Sequence, residues 1–127
     1  MGKALMAMIM VLWVMTEIHL YRYNAHVDSV YDGDTITLTI DLGLGVSKVE
    51  KIRMYGINAP ELRGSERSQG LKSRDALRAL ILNKDVEIQT VKDKKGKYGR
   101  LLGTIYINDI NVNKWMVEKG YAKYQKY

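Results

Sequence analysis

The chain contains no cysteine. That excludes disulfides, a thiolate nucleophile and cysteine-ligated zinc, and it leaves both redox compartments open. Histidine is nearly as scarce: His19 and His26 are the two present, and seven residues apart on a strand they face opposite sides and make no ligand pair. Proline occurs once, at Pro60, marking one fixed turn. Phosphate-loop signatures, internal repeats and low-complexity tracts are all missing, and "LGLG" at 42–45 is too short and misplaced to bind a dinucleotide. Long apolar runs are limited to Ala4–Met15, shorter than the ~20 residues a membrane-spanning helix needs. This run resembles the core of a signal peptide, yet Thr16-Glu17-Ile18-His19 follows it in place of a small-x-small cleavage site.

Three readings of residues 1–15 stand: an export signal or membrane anchor, a helix packed on the domain, or an upstream extension with translation beginning at Met15. The third is preferred, because the run has no helical face and carries no chemistry. A true signal implies a secreted or membrane-anchored protein; a start at Met15 implies a cytoplasmic one. The working division is therefore a leader at 1–15 and one domain at 16–127.

What is present fits a small soluble domain. With 127 residues, nearly half of them hydrophobic, the chain can build one modest core and one site. Lys and Arg outnumber Asp and Glu by 20 to 14, a net charge of +6, and the pI is near 9.5. Such a balance favours a polyanionic partner, nucleic acid or an acidic lipid surface.

From His19 the pattern is β. "HLYRYNAHV" alternates, with Tyr21, Tyr23, Ala25 and Val27 sharing a face. "DGD" at 32–34 supplies a turn in which Gly33 permits positive φ. "TITLTID" then turns Ile36, Leu38 and Ile40 inward, and after "LGLG" a third strand runs from Lys48. Beyond Pro60 the period becomes helical: Leu77, Leu80 and Ile81 make an apolar stripe, with Arg67, Lys72, Arg74 and Arg78 at solvated positions and Gly70 weakening the first turn. A fourth strand is predicted at 85–91, a basic loop at 92–100 and a fifth strand at 101–107. The last element is a helix with Asn113 as N-cap, Val112, Trp115 and Met116 as its apolar face, and Gly120 as its stop. Five short strands, a helix between the third and fourth, and a terminal helix make the order of an OB-fold barrel, a mainly β, α+β architecture.

Four polar features fall at strand ends: Asp32 and Asp34 around Gly33, Arg53 in the third strand, Asn58 and Glu61 beyond it, and Arg100 at the start of the fifth. Each alone is an ordinary turn or surface residue. A compact barrel, however, can gather strand ends that are distant in sequence.

"VYDGDT", "RMYGINAPE", "KYGR" and "VNKWMVEKGYA" occur in the order and approximate spacing of the thermonuclease, or staphylococcal nuclease-like, domain, which the chain resembles over roughly 18–127. The resemblance implies a calcium-dependent phosphodiesterase on an OB barrel, acting as a monomer on DNA and RNA and leaving 3′-phosphates. The family's chain usually continues into a further helix, which here is expected to be absent or very short. By resemblance Asp34 is a direct metal ligand, Asn58 falls where the family has a second Asp ligand, and Ala59 offers a backbone carbonyl. Glu61 is implied as general base, Arg53 and Arg100 as the arginines on the phosphate, and Lys97 and Tyr98 as nucleotide-pocket residues.

The chemistry suits these residue types. Planar guanidinium groups answer the charge of a phosphodiester under attack with paired hydrogen bonds that lysine cannot reproduce. Calcium accepts amide, carbonyl and carboxylate oxygens in an irregular shell. Asn58 keeps an oxygen donor but removes one negative charge, so weaker calcium binding with catalysis retained is expected. Asp32 either compensates or holds the turn, and the turn role is preferred. Two rivals stand beside this reading. One is a non-catalytic nucleic-acid-binding module using Lys92, Lys94, Lys95, Lys97 and Tyr98 as a groove with a stacking platform. The other is a membrane-surface protein using the apolar leader and the net positive charge.

Overall fold

A computed structural model describes residues 20–126; the readings of the 1–15 segment and of His19 fall outside the described residues. The chain begins with strand β1 (Arg22–Asp32), followed by β2 (Thr35–Gly43), β3 (Val46–Met54) and the short β4 (Ile57–Asn58). A 3₁₀ turn (Gly64–Glu66) leads into helix α1 (Arg67–Ile81), then β5 (Asp85–Lys95), a turn at Lys97–Gly99, β6 (Leu101–Ile107), β7 (Ile110–Asn111), helix α2 (Val112–Glu118) and β8 (Lys123–Tyr124).

β1, β2 and β3 form the expected antiparallel meander, β5 pairs with β1, and β6 pairs with β5. The parallel pairing of β3 with β6, Ile52 opposite Leu101, closes a five-stranded barrel in the OB arrangement. Period-two alternation drives this closure. Val27, Val30, Ile36, Leu38, Ile52, Met54, Ile88 and Ile105 all turn inward and are fully buried, each stabilising the barrel by roughly 1.5–3 kcal/mol relative to exposure. Leu77 and Ile81 carry α1 onto the barrel, with Leu80 partly buried beside them, and Val112 and Met116 do the same for α2.

Several expectations need correcting. Tyr21 does not continue the inward face of β1; it is exposed, with a φ of 62° that interrupts the alternation. β3 starts at Val46, because Gly43, Leu44 and Gly45 all take positive φ and close a tight hairpin. β5 continues to Lys95 across an irregularity at Lys92 and Asp93, both at positive φ, where Asp93 accepts from the Tyr23 hydroxyl at 3.0 Å. Arg78 is not merely solvated: its guanidinium donates to the Val30 carbonyl at 3.0 and 3.2 Å, where β1 is irregular. Arg67 donates to the Leu62 carbonyl at 2.9 Å.

Asn113 is not the N-cap of α2. That role belongs to Asn111, whose side chain accepts from Lys114 N–H. Asn113 is buried inside the barrel mouth, accepting from Ile105 N–H and donating to the carbonyls of Tyr55 and Gly103. Gly120 does end α2: at a φ of 80° it donates to Val117, and Tyr121 N–H reaches back to Met116. The chain then folds back so that β8 pairs with β4, Ile57 opposite Tyr124, an arrangement absent from the sequence reading.

Candidate active site

The site is built on the turn between β1 and β2. Asp32 Oδ1 accepts from the Asp34 N–H at 3.0 Å, fixing the turn, and both carboxylates are buried. The expected turn-holding role of Asp32 is thus the observed one. Gly33 is needed for a different reason than predicted. It does not adopt positive φ; a Cβ there would lie 1.9 Å from Ser73 Oγ of α1 and 2.7 Å from Ala59 Cβ. The turn, the helix and the segment after β4 meet at that point.

Gly70 has the matching role on α1. A Cβ at Gly70 would lie 2.3 Å from the Glu61 carbonyl oxygen and 3.0 Å from that of Pro60. The glycine that weakens the helix is therefore the surface against which the Pro60–Glu61 backbone rests. Ser73 Oγ donates to the Tyr121 carbonyl at 2.8 Å, tying the C-terminal segment to the same helix.

Asp34 gathers the polar groups around it. Its Oδ2 accepts from Ala59 N–H at 2.7 Å and lies 3.4 Å from Arg53 Nη2, while Oδ1 accepts from the Thr35 hydroxyl at 3.0 Å. Arg53 is held further by donating to the Met54 carbonyl at 2.9 Å and to Asn58 Oδ1 at 3.3 Å. Arg100, directly before β6, donates through Nε to the Lys97 carbonyl at 3.2 Å and through Nη1 to Thr35 Oγ1 at 3.3 Å. Its guanidinium carbon sits 5.2 Å from the Tyr98 ring centroid.

Asp32, Asp34, Arg53, Asn58, Glu61, Tyr98 and Arg100 all line one cleft of about 470 Å³. Residues from four separate strand ends are thereby brought together. Ala59 lies beneath the cleft, buried, with its N–H committed to Asp34. The lining does not include Lys97, whose carbonyl orients Arg100. Glu61 is exposed, and its N–H donates to Glu66 Oε2 at 3.2 Å. A larger and more open groove of about 680 Å³ crosses the outer face of the sheet past Asn24, Thr39, Glu87 and Tyr106; it contains none of these groups.

Sequence reasoning missed Thr35, Tyr31, Lys51 and Arg63, which also line the cleft. Thr35 is the most consequential, since its hydroxyl links Asp34 to Arg100. The signal for it was available in part: it directly follows Asp34 and pairs with Arg53 across β2 and β3.

Burial and the neighbouring Asp34 charge push the Asp32 carboxyl up to about 6 from 3.8. The two buried carboxylates share the cleft with Arg53, Arg100, Lys51 and Arg63, so the site as a whole is not short of positive charge. Among the described residues, no three His, Cys, Asp or Glu side chains form a metal cluster. The oxygens that do converge, a carboxylate from Asp34 and an amide from Asn58, are hard donors suited to calcium or magnesium and unsuited to soft metals. The donor set fits a hard cation in kind, with low ligand charge.

Residues 51–127 match the model of the family described as staphylococcal nuclease homologue. An uncharacterized endonuclease of Haemophilus influenzae is 30% identical over 124 residues, covering 97% of this chain and 65% of that protein. A thermonuclease of Staphylococcus hyicus is 27% identical over 101 residues, 77% of this chain and 57% of its own length. A protein of Oryza sativa subsp. japonica named as a probable staphylococcal-like nuclease is 39% identical over 72 residues, 57% of this chain and 18% of its own length. The chain thus spans less than two thirds of each of these relatives.

Proposed function

The chain belongs to the family of staphylococcal nuclease homologues, and on that premise we propose that it is a metal-dependent nuclease hydrolysing DNA or RNA phosphodiester bonds. The observation that carries this reading is the convergence of Arg53, Glu61 and Arg100 on one cleft floored by buried Asp34.

In the proposed reaction the phosphodiester lies between Arg53 and Arg100, whose guanidinium groups oppose the charge that builds on the phosphoryl oxygens as water attacks. Glu61 takes a proton from that water. The bond from phosphorus to the 5′ oxygen breaks and the departing oxygen takes a proton from solvent, leaving a 3′-phosphate and a 5′-hydroxyl. Asp34, Asn58 and the Ala59 carbonyl would hold a calcium ion, which when bound supplies Lewis-acid polarisation of the phosphate and orients water. The Asp34 carboxylate also fixes Arg53 directly and Arg100 through Thr35, so removing it loosens both phosphate-binding groups. Tyr98, standing largely exposed at the rim, offers a face for a nucleotide base, and Lys97, outside the cleft lining, precedes it in the basic loop.

The direct test is hydrolysis of single-stranded DNA by the full chain in calcium and in EDTA. Cleavage in calcium that EDTA abolishes is the expected result. Salt-sensitive DNA binding without metal-dependent cleavage would instead identify a non-catalytic binding module.

A further inference from the structure

One aromatic side chain of the cleft is not explained by packing. Tyr31 is 68% exposed and lies neither in the core nor among the residues packed against it, yet it lines the cleft. A β-bulge presents it. Val30 pairs with Ile36 and Asp32 with Thr35, so the register of β1 slips by one and leaves Tyr31 as the extra residue. The bulge is pinned from α1, where the Arg78 guanidinium donates twice to the Val30 carbonyl, at 3.0 and 3.2 Å. Val30 and Asp32 on either side are buried while Tyr31 turns outward. The charges of the lining add a second observation. Lys51, Arg53, Arg63 and Arg100 face Asp32, Asp34 and Glu61, and Asp34 is paired with Arg53. Lys51 and Arg63 are exposed, and among the described residues neither makes an ion pair. One phosphate held by Arg53 and Arg100 leaves both of these cations unused.

We infer that Tyr31 and Lys51 make a second nucleotide subsite, on the side of the scissile phosphate away from Tyr98, so that the cleft grips a single strand across an internal bond. The inference rests on the reading of this cleft as a nucleic-acid site. Sheet order supplies the geometry. Tyr31 comes from β1 and Tyr98 from the turn before β6, while β2 and β3, carrying Thr35 and Arg53, lie between them. The rings therefore stand at opposite ends of a row that runs Tyr31, Thr35, Arg53, Arg100. Three strand spacings make that row about 14 Å along the curved sheet, which leaves room for a nucleotide on each side of one phosphate. Lys51 is two residues from Arg53 on β3 and shares its face, opposite Thr37 as Arg53 is opposite Thr35. A strand leaving the arginines over β3 and β2 thus meets an ammonium group for its next phosphate and a phenol ring for its next base. Such a ring accepts any base, because every base has a π-face.

The test reads binding by the full chain in EDTA, where metal-dependent cleavage does not intervene. The probes are a fluorescent octathymidylate and an abasic octamer carrying the same phosphates. The wild type should prefer the thymidylate. Tyr31→Ala should lose about tenfold in affinity for the thymidylate and little for the abasic strand, while Tyr31→Phe, which keeps the ring, should bind as the wild type does. Lys51→Ala should weaken both strands alike and reduce the slope of log affinity against log salt by about 0.7, the value for one phosphate of a single strand. A wild type without preference for the thymidylate would overturn the inference. So would a Tyr31→Ala chain that binds as the wild type does or loses equally on both strands, a loss shared by Tyr31→Phe, or an unchanged salt slope in Lys51→Ala. The nuclease reading is scored apart, by cleavage in calcium: a wild type that fails to cleave but keeps the Tyr31 effect in EDTA supports the subsite and removes the catalysis.

Discussion

Individual side chains carry the sharpest consequences. Asn58 supplies an amide oxygen where a carboxylate would add a second negative charge, and its present partner is Arg53. Asn58→Asp should tighten calcium by about tenfold, measured by calorimetry, since calcium affinity follows ligand charge. Asp32 makes a separate prediction in the metal-free protein. Its folded value of about 6 lies above the ordinary 3.8, so the folded state holds a proton that the unfolded chain releases. The stabilisation from that proton is complete below pH 3.8 and disappears as pH rises through about 6. Asp32→Asn, neutral throughout, should therefore gain stability over the wild type progressively across that window, read by urea unfolding in EDTA. A difference that does not vary with pH would mean that Asp32 is not destabilised by its charge. Thr35 joins Asp34 to Arg100 through one hydroxyl. Thr35→Val should reduce turnover with little loss of fold, whereas Thr35→Ser should retain most activity.

At the scale of elements, the glycines show what sequence patterns reveal and what they conceal. The strands were legible because alternation is local: Ile36, Leu38 and Ile40 turn inward as their spacing requires. Motif order likewise singles out Asp34, Arg53, Asn58, Glu61 and Arg100, which the fold brings to one cleft. What stayed hidden depends on contacts between distant segments. Gly70 looked like a flaw in a helix, but the Glu61 carbonyl occupies the space of its missing Cβ. Gly33 looked like a turn residue with positive φ, yet what it provides is room for Ser73 and Ala59. Asn113 had the right residue type for an N-cap two positions away, while its actual partners lie on β6 and at Tyr55. The β4–β8 pair joins two-residue strands too short to show a period. Gly70→Ala should test the helix contact. Helix propensity alone would favour alanine by about 1 kcal/mol, so a net loss of stability together with reduced turnover would show that the clash displaces the Glu61 segment.

The whole molecule is one closed sheet with its candidate site at one end, where residues from distant strand ends meet in a single cleft. A net charge of +6 favours capture of a polyanion, so nucleic-acid affinity should fall steeply as salt rises. The membership of the family and the position of the cleft agree, but the account stands or falls on whether the cleft performs chemistry. The decisive measurement is the rate of single-stranded DNA cleavage across a calcium titration for wild type, Glu61→Gln and Arg100→Lys. Saturable calcium dependence should appear in the wild type, with Glu61→Gln severely impaired and Arg100→Lys slowed by the equivalent of about 2.7–4 kcal/mol, the scale for a lost charge-stabilising donor. Full activity in Glu61→Gln, or cleavage indifferent to calcium, would contradict it.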